Sequence, residues 1–245
     1  MLNSEFKNEF NIHYNSIATM SAPSIDDYEI SVYLTKAQLE IVKDYYNPEG
    51  NKYKRGFEDS EKRRNDLKEL VKTYDSTTII PSLFNIDINS KFFKIPDDVF
   101  LIIYENGKIL SNDCSNGKKV TIKPITHDEY NIQKDNPFKK PDQSVIWRLD
   151  VSNIGDNKVV ELISNYTITN YQLRYIQYPK PIIISDLVDL YPSDNLSIDG
   201  LTSEQPCLLS ESIHREILDR AVELALNDYK PQGLENKIQL DSRNE

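Results

Sequence analysis

The 245-residue chain is 38% hydrophobic and 10% aromatic, enough apolar material for a substantial core, so it is a folded chain and not a disordered one. Its 39 acidic residues against 29 basic ones leave a net charge of -10, which argues against a cationic surface that wraps nucleic acid by counterion release. No apolar run reaches the length of a membrane span, and MLNSEFKNEF carries acids where a secretory signal needs a basic start and an apolar core, so synthesis in a cytoplasm without export by that route is expected.

Residues 4–20 place Phe6, Phe10, His13 or Tyr14, and Ile17 at helical spacing, which predicts a short helix with one apolar stripe, ending before Ser21, Ala22 and Pro23. Ser24 announces a second helix over 26–46. Asp26 and Asp27 sit in its first turn, where carboxylates meet free backbone N–H groups, and Asn47 and Pro48 close it. Ile30, Leu34, Ala37, Ile41 and Tyr45 give this helix a face to bury. The stretch 47–64, with the basic cluster Lys52, Lys54 and Arg55, reads as an exposed loop. A third helix is expected over 58–74, with Leu67, Leu70, Val71 and Tyr74 as an apolar patch near its end.

From Thr77 to about Ile184 the period becomes strand-like. Val99 to Tyr104 is rich in branched and aromatic residues, and Asn106-Gly107 supplies the pair that a tight hairpin turn favours before 108–110. A second Asn-Gly, Asn116-Gly117, precedes a strand over 120–125. Strands over 145–151 and 158–163 flank Gly155, and 166–178 is one long strand. Five or six antiparallel strands in one curved sheet or a small sandwich are expected, ending where Pro179 and Pro181 remove ladder donors. Residues 185–209 read as an extended connection. A last helix over 210–230 carries Ile213, Ile217, Ala221, Leu224 and Ala225 on one face, widened by Leu218, Val222 and Tyr229, with Arg215–Asp219 and Glu216–Arg220 as exposed pairs four apart. The tail 231–245 is polar. The fold class is therefore α+β: an N-terminal helical segment, 1–76, a β-rich region, 77–190, and a C-terminal segment, 191–245, whose helix packs with the first segment.

Little in the chain points to catalysis. His13, His127 and His214 are each isolated, without a second ligand at helical or hairpin spacing, and Cys114 and Cys207 stand in no zinc-like pattern and suit a reducing compartment. The pairs Asp26-Asp27, Asp97-Asp98 and Asp128-Glu129 read as caps and turns, because neighbouring carboxylates on a strand point apart. Seven glycines form no phosphate cradle, and no serine lies in a nucleophile elbow. Tyr171, Tyr175 and Tyr178 read as sheet packing. No catalytic, cofactor-binding or metal residue is assigned, and no cofactor is expected. The reading is of a protein that works by binding other proteins.

Three stretches taken together, SVYLTKAQLEIVKDYYNP with GFEDSEKRRNDLKELV, YQLRYIQYPKPI, and QPCLLSESIHREILDRAVELAL, resemble virion structural proteins of crAss-like phages that infect Bacteroidales. The resemblance is to head-to-tail connector or tail-barrel ring proteins stacked below the portal. It implies a non-enzymatic subunit of a homo-oligomeric ring, about twelve-fold, that contacts the portal and other ring proteins. It further implies that DNA passes through during ejection without specific binding, with no membrane involved, in the neck or tail of a virion assembled in a bacterial cytoplasm. The rivals are a tail adhesion or receptor-binding module, for which trimers and glycan binding are usual, and an enzyme without a local motif.

Overall fold

The structure, a computed structural model, describes residues 1–17, 24–47, 56–81, 85–111, 114–192 and 195–229. The basic cluster 52–55, the end of the first predicted helix and the polar tail lie outside these residues. The chain forms two compact units. Met1–Leu70 with Pro179–Glu245 make a helical unit, and Val71–Tyr178 make a sheet unit.

In the helical unit, α1 (Asn3–Ile17), α2 (Asp27–Tyr46) and α6 (His214–Tyr229) bury their apolar stripes against one another. Phe6, Phe10 and Tyr14 of α1 are buried, as are Ile30, Leu34, Ala37 and Ile41 of α2 and Ile217, Leu218, Ala221, Val222, Leu224 and Ala225 of α6. The N-cap of α2 is Asp26, two residues past the expected Ser24. Its carboxylate accepts from the Glu29 N–H while the Glu29 side chain accepts from the Asp26 N–H, a reciprocal capping box. On α6 the expected intrahelical pairing gives way to contacts between helices. Arg220 Nε lies 2.7 Å from Glu40 Oε2, and Glu216 receives Lys62 at 2.9 Å and the Tyr45 hydroxyl at 2.8 Å.

A second stripe on α2 is polar yet buried: Ser31, Thr35 and Gln38. Each meets the extended backbone that follows Pro179. Ile182 N–H donates to Thr35 Oγ1, Ile184 N–H to Ser31 Oγ, and Gln38 Nε2 to the Lys180 carbonyl. These side chains act as a strand partner along one edge of the segment, while Ile183 pairs with Gln205 along the other, which satisfies its buried backbone groups. The stretch expected as a plain connection, 185–209, is likewise folded. It contains the short helix α5 (Leu187–Leu190) and bridges Ile183–Gln205 and Ile198–Leu201, and it buries Ile183, Leu187 and Ile198 with Tyr28, Tyr191 and Leu201 around them.

The third helix is shorter than its pattern. α3 runs Glu61–Leu67, a single 3-10 turn takes Lys68–Leu70, and Val71–Ser76 is a strand, β1, paired with the long strand over 167–177. Val71, Thr73 and Tyr74 suit a pleated edge, and a waiting ladder overrides the helical spacing of Leu67, Leu70, Val71 and Tyr74. The expected exposed loop over 47–64 is also corrected in its described second half, since Gly56 and Phe57 are buried.

The sheet unit continues with β2 (Ile79–Ile80), β3 (Ser90–Lys94), β4 (Val99–Ser111), β5 (Cys114–Pro124), α4 (His127–Gln133), β6 (Val145–Asp150), β7 (Val159–Ile163) and β8 (Thr167–Gln177). The described strands form one eight-stranded sheet in the order β1-β8-β4-β5-β6-β7-β3-β2, more strands than the turn signals predicted. Every pairing is antiparallel except β5 with β6, where the crossover through α4 brings the chain back in the same direction. The sheet curls so that Phe93, Ile109, Ile122, Ile146, Leu162, Ile168, Tyr171 and Leu173 fill its inner side. On the outer side α4 covers β6 and β7 with Tyr130 against Trp147, alongside Ile125, Leu149 and Ile163. All five residues of β7 are therefore buried.

The first hairpin is not where Asn106-Gly107 placed it. Both residues lie inside β4, paired to β8 on one side and β5 on the other. Gly107 is required for space: a Cβ there would come within 2.5 Å of Ile146 Cδ1, so its absence lets the curled sheet close over that side chain. Asn116-Gly117 also lies in a strand. Gly117 takes φ +77°, where the β4–β5 register shifts, so this pair forms a bulge and not a turn.

Candidate assembly surfaces

Strand alternation sorts the sheet unit into a filled inner face and an outer one, which α4 covers over β6 and β7 and which is open over β8, β4 and β5. Along β4, Glu105, Gly107 and Ile109 are buried while Tyr104, Lys108 and Leu110 are exposed and Asn106 is half-buried. Along β8, Tyr171, Leu173 and Tyr175 point inward and Asn170, Gln172 and Arg174 outward. Along β5, Val120 and Ile122 are buried between exposed Lys119, Thr121 and Lys123. Asn106 stands opposite Gln172 and Thr121, and Lys108 opposite Asn170 and Lys119.

The result is a polar, cationic patch on β1, β8, β4 and β5. Lys119 Nζ donates to Gln172 Oε1 at 2.9 Å, and the Arg174 guanidinium lies 5.3 Å from the centre of the Tyr104 ring. A shallow cleft is lined by Asp75, Asn106, Lys108, Lys119, Asn170 and Gln172. Lys108, Lys119, Lys123 and Arg174 are exposed on these strands, and Asp75 lines the cleft beside Lys108 and Lys119. In the same unit, Ile88 and Phe138 are 94% and 96% exposed, and the hydrogen bond from the Tyr130 hydroxyl to Asp87 ties the loop of Ile88 to α4.

Beneath the patch lies a polar cluster that the strand pattern did not reveal. Glu105 Oε2 accepts from Arg148 Nη1 at 2.5 Å, and Glu105 Oε1 accepts from the Tyr171 hydroxyl. Arg148 also reaches Asp150, at 3.2 Å. Burial raises the Glu105 carboxyl above its usual range, opposed by the Arg148 charge and the Tyr171 hydrogen bond. Burial first, then the Glu105 charge, pushes the Tyr171 phenol far above its ordinary value, so it remains a donor. A phenol that keeps its proton and a carboxylate held by arginine form a structural clamp, not an acid/base couple. The three residues are scattered through the sequence; the available signal was a charge at an inward strand position, hidden because Asn106-Gly107 read as a turn.

The residues weighed for chemistry are dispersed. His214 is buried, with Nε2 3.0 Å from the Leu209 carbonyl and Nδ1 2.7 Å from Met1 N. His13 is exposed near Asp219, and His127 Nε2 lies 3.1 Å from the Asp150 carbonyl. Asp26 caps α2, and Asp27 binds Lys7 at 2.7 Å. Asp98 accepts the Tyr175 hydroxyl at 3.0 Å, and Glu129 closes a capping box with Thr126 on α4. Of the three tyrosines, Tyr171 and Tyr175 are in the core, while Tyr178 is 40% exposed, edge-on to Phe100. Cys207 has its thiol pushed up to about 11 by burial, so it is not a ready nucleophile. Among the described residues no group of three His, Cys, Asp or Glu side chains is placed to hold a metal ion, and no helix is long and apolar enough to cross a membrane.

Residues 1–237 match the family described as phage tail ring protein 3/4. The chain is 41% identical over 245 residues to Ring protein 4/5 of Bacteroides phage crAss001, across 98% of each. It is also 36% identical over 228 residues to Ring protein 3 of the same phage, covering 92% of this chain and 95% of that protein.

Proposed function

The chain belongs to the phage tail ring protein 3/4 family, whose members are structural ring components of the virion, and from that premise we propose that it forms a homo-oligomeric ring of the portal-proximal connector or tail barrel, joining capsid to tail and letting DNA pass. The ring is about twelve-fold, templated by the portal, and stacks on other ring proteins in the neck or tail. The observation that carries this reading is the family match over residues 1–237. The role is structural and not enzymatic.

The distribution of charge supports passage of DNA. Met1–Leu70 and Pro179–Glu245 together contain 26 acidic and 16 basic residues, the whole of the net -10, whereas Val71–Tyr178 contains 13 of each. Where the ring lines the channel, its inward face is acidic, because carboxylates repel a phosphate backbone and lysines would hold it. The cluster of Lys52, Lys54 and Arg55 then points away from the DNA.

Sedimentation of the purified chain, alone and with portal protein, tests the proposal. The expected result is a monomer or weak self-association alone and a closed ring with the portal. A stable trimer at micromolar concentration, or tight and salt-sensitive binding of duplex DNA, would overturn it.

A further inference from the structure

The cationic outer face of the sheet unit stands out in so acidic a chain, and the same chain carries its complement. Between 181 and 214 there is no lysine or arginine, but there are six acids: Asp186, Asp189, Asp194, Asp199, Glu204 and Glu211. The described residues of this stretch, which leave out Asp194, fold around α5, where Asp189, Asp199 and Glu204 are exposed, and they also present Val188, Leu190 and Leu208, each between 43% and 55% exposed. The sheet face offers Lys108, Lys119, Lys123 and Arg174, with exposed Tyr104 and Leu110 beside them. Each surface has the charge the other lacks, and each has apolar side chains left for the other to cover.

We propose that the open face of β8, β4 and β5 in one copy is the docking site for the acidic α5 segment of the next copy. This rests on the ring reading and names the contact that closes the ring. The two patches are unlike, which is what a head-to-tail contact repeating around a ring requires. A copy of this chain fits the face better than DNA does. Asp75 interrupts the cations, and the net -10 of the whole chain repels a polyanion at the distances where steering acts. Covering these lysines with a neighbour also removes cations that would otherwise retard DNA in transit.

The test uses the full chain with a photo-crosslinking residue at position 108, in low salt, alone and with portal protein. Crosslinks from position 108 to peptides within 181–214 of another copy are expected. A charge-reversal cycle accompanies it. Lys108→Glu/Lys119→Glu and, separately, Asp186→Lys/Asp189→Lys should each weaken self-association about tenfold or more, and one chain bearing all four changes should regain it. Far-ultraviolet circular dichroism of each variant shows that it is folded, and Lys108→Gln/Lys119→Gln serves if the glutamate form is not. Rings that form with portal while every reversal leaves association unchanged, or crosslinks that avoid 181–214, overturn this contact and leave the ring reading standing. If the wild-type chain makes no ring with portal at all, the ring reading falls and takes the contact with it. Duplex DNA bound by the wild type and released by Lys108→Glu/Lys119→Glu would reassign the face to nucleic acid and overturn the proposal.

Discussion

At the scale of single residues, the strongest local commitment is the buried clamp of Glu105, Arg148 and Tyr171. Arg148→Ala leaves a carboxylate in the core without its counter-ion, which should destabilise the fold by about 3 kcal/mol. Glu105→Gln with Arg148→Met keeps an acceptor for Tyr171 without the charges, and it should recover most of that loss in urea unfolding. A double variant as unstable as Arg148→Ala would show that the ion pair itself is needed. His214 gives a pH dependence of definite sign. Burial lowers its pKa below the usual 6.5, so the native state holds it neutral while the unfolded chain takes up a proton. Its contribution is present above about pH 6.5 and is lost as pH falls below that value. His214→Gln, which can still donate to the Leu209 carbonyl, should flatten the difference in stability between pH 7 and pH 5. An unchanged pH profile in that variant would contradict this assignment.

At the scale of elements, helices were read well wherever a stripe of apolar residues faced other helices, as Ile30, Leu34 and Ala37 do, because periodicity reports directly on which side is buried. Reading failed where a residue answered to a distant partner. Asn106-Gly107 has the chemistry of a turn, but Gly107 makes room for Ile146, far away in sequence. Val71–Ser76 has partly helical spacing, yet its ladder is offered by β8, about a hundred residues later. Ser31, Thr35 and Gln38 drew no reading from the sequence, because the backbone of 180–184 that they serve lies far along the chain. The packing of α6 on α2 carries its own prediction. Leu224→Asp places a charge among buried side chains and should cost about 3 kcal/mol or more, seen as a lower urea midpoint and loss of assembly. Unchanged folding and assembly would mean that α6 is not held there.

At the scale of the whole molecule, the sequence pointed toward a ring component of a virion, but the surfaces of the folded chain were not legible in it. The patch of Lys108, Lys119 and Arg174 comes from three strands and exists only once β5, β4 and β8 are side by side. The charge imbalance was visible as a total. Its confinement to one unit follows only when 1–70 is joined with 179–245. A reconstruction of the assembled virion would show whether this chain closes into a ring around a DNA channel. The account predicts copies of the chain in one closed ring coaxial with the tail, below the portal, with carboxylates and not lysines toward any DNA in the channel. Finding the chain as trimers on a fibre or at a receptor-binding tip, or finding Lys52, Lys54 and Arg55 in the channel wall against DNA, would contradict it.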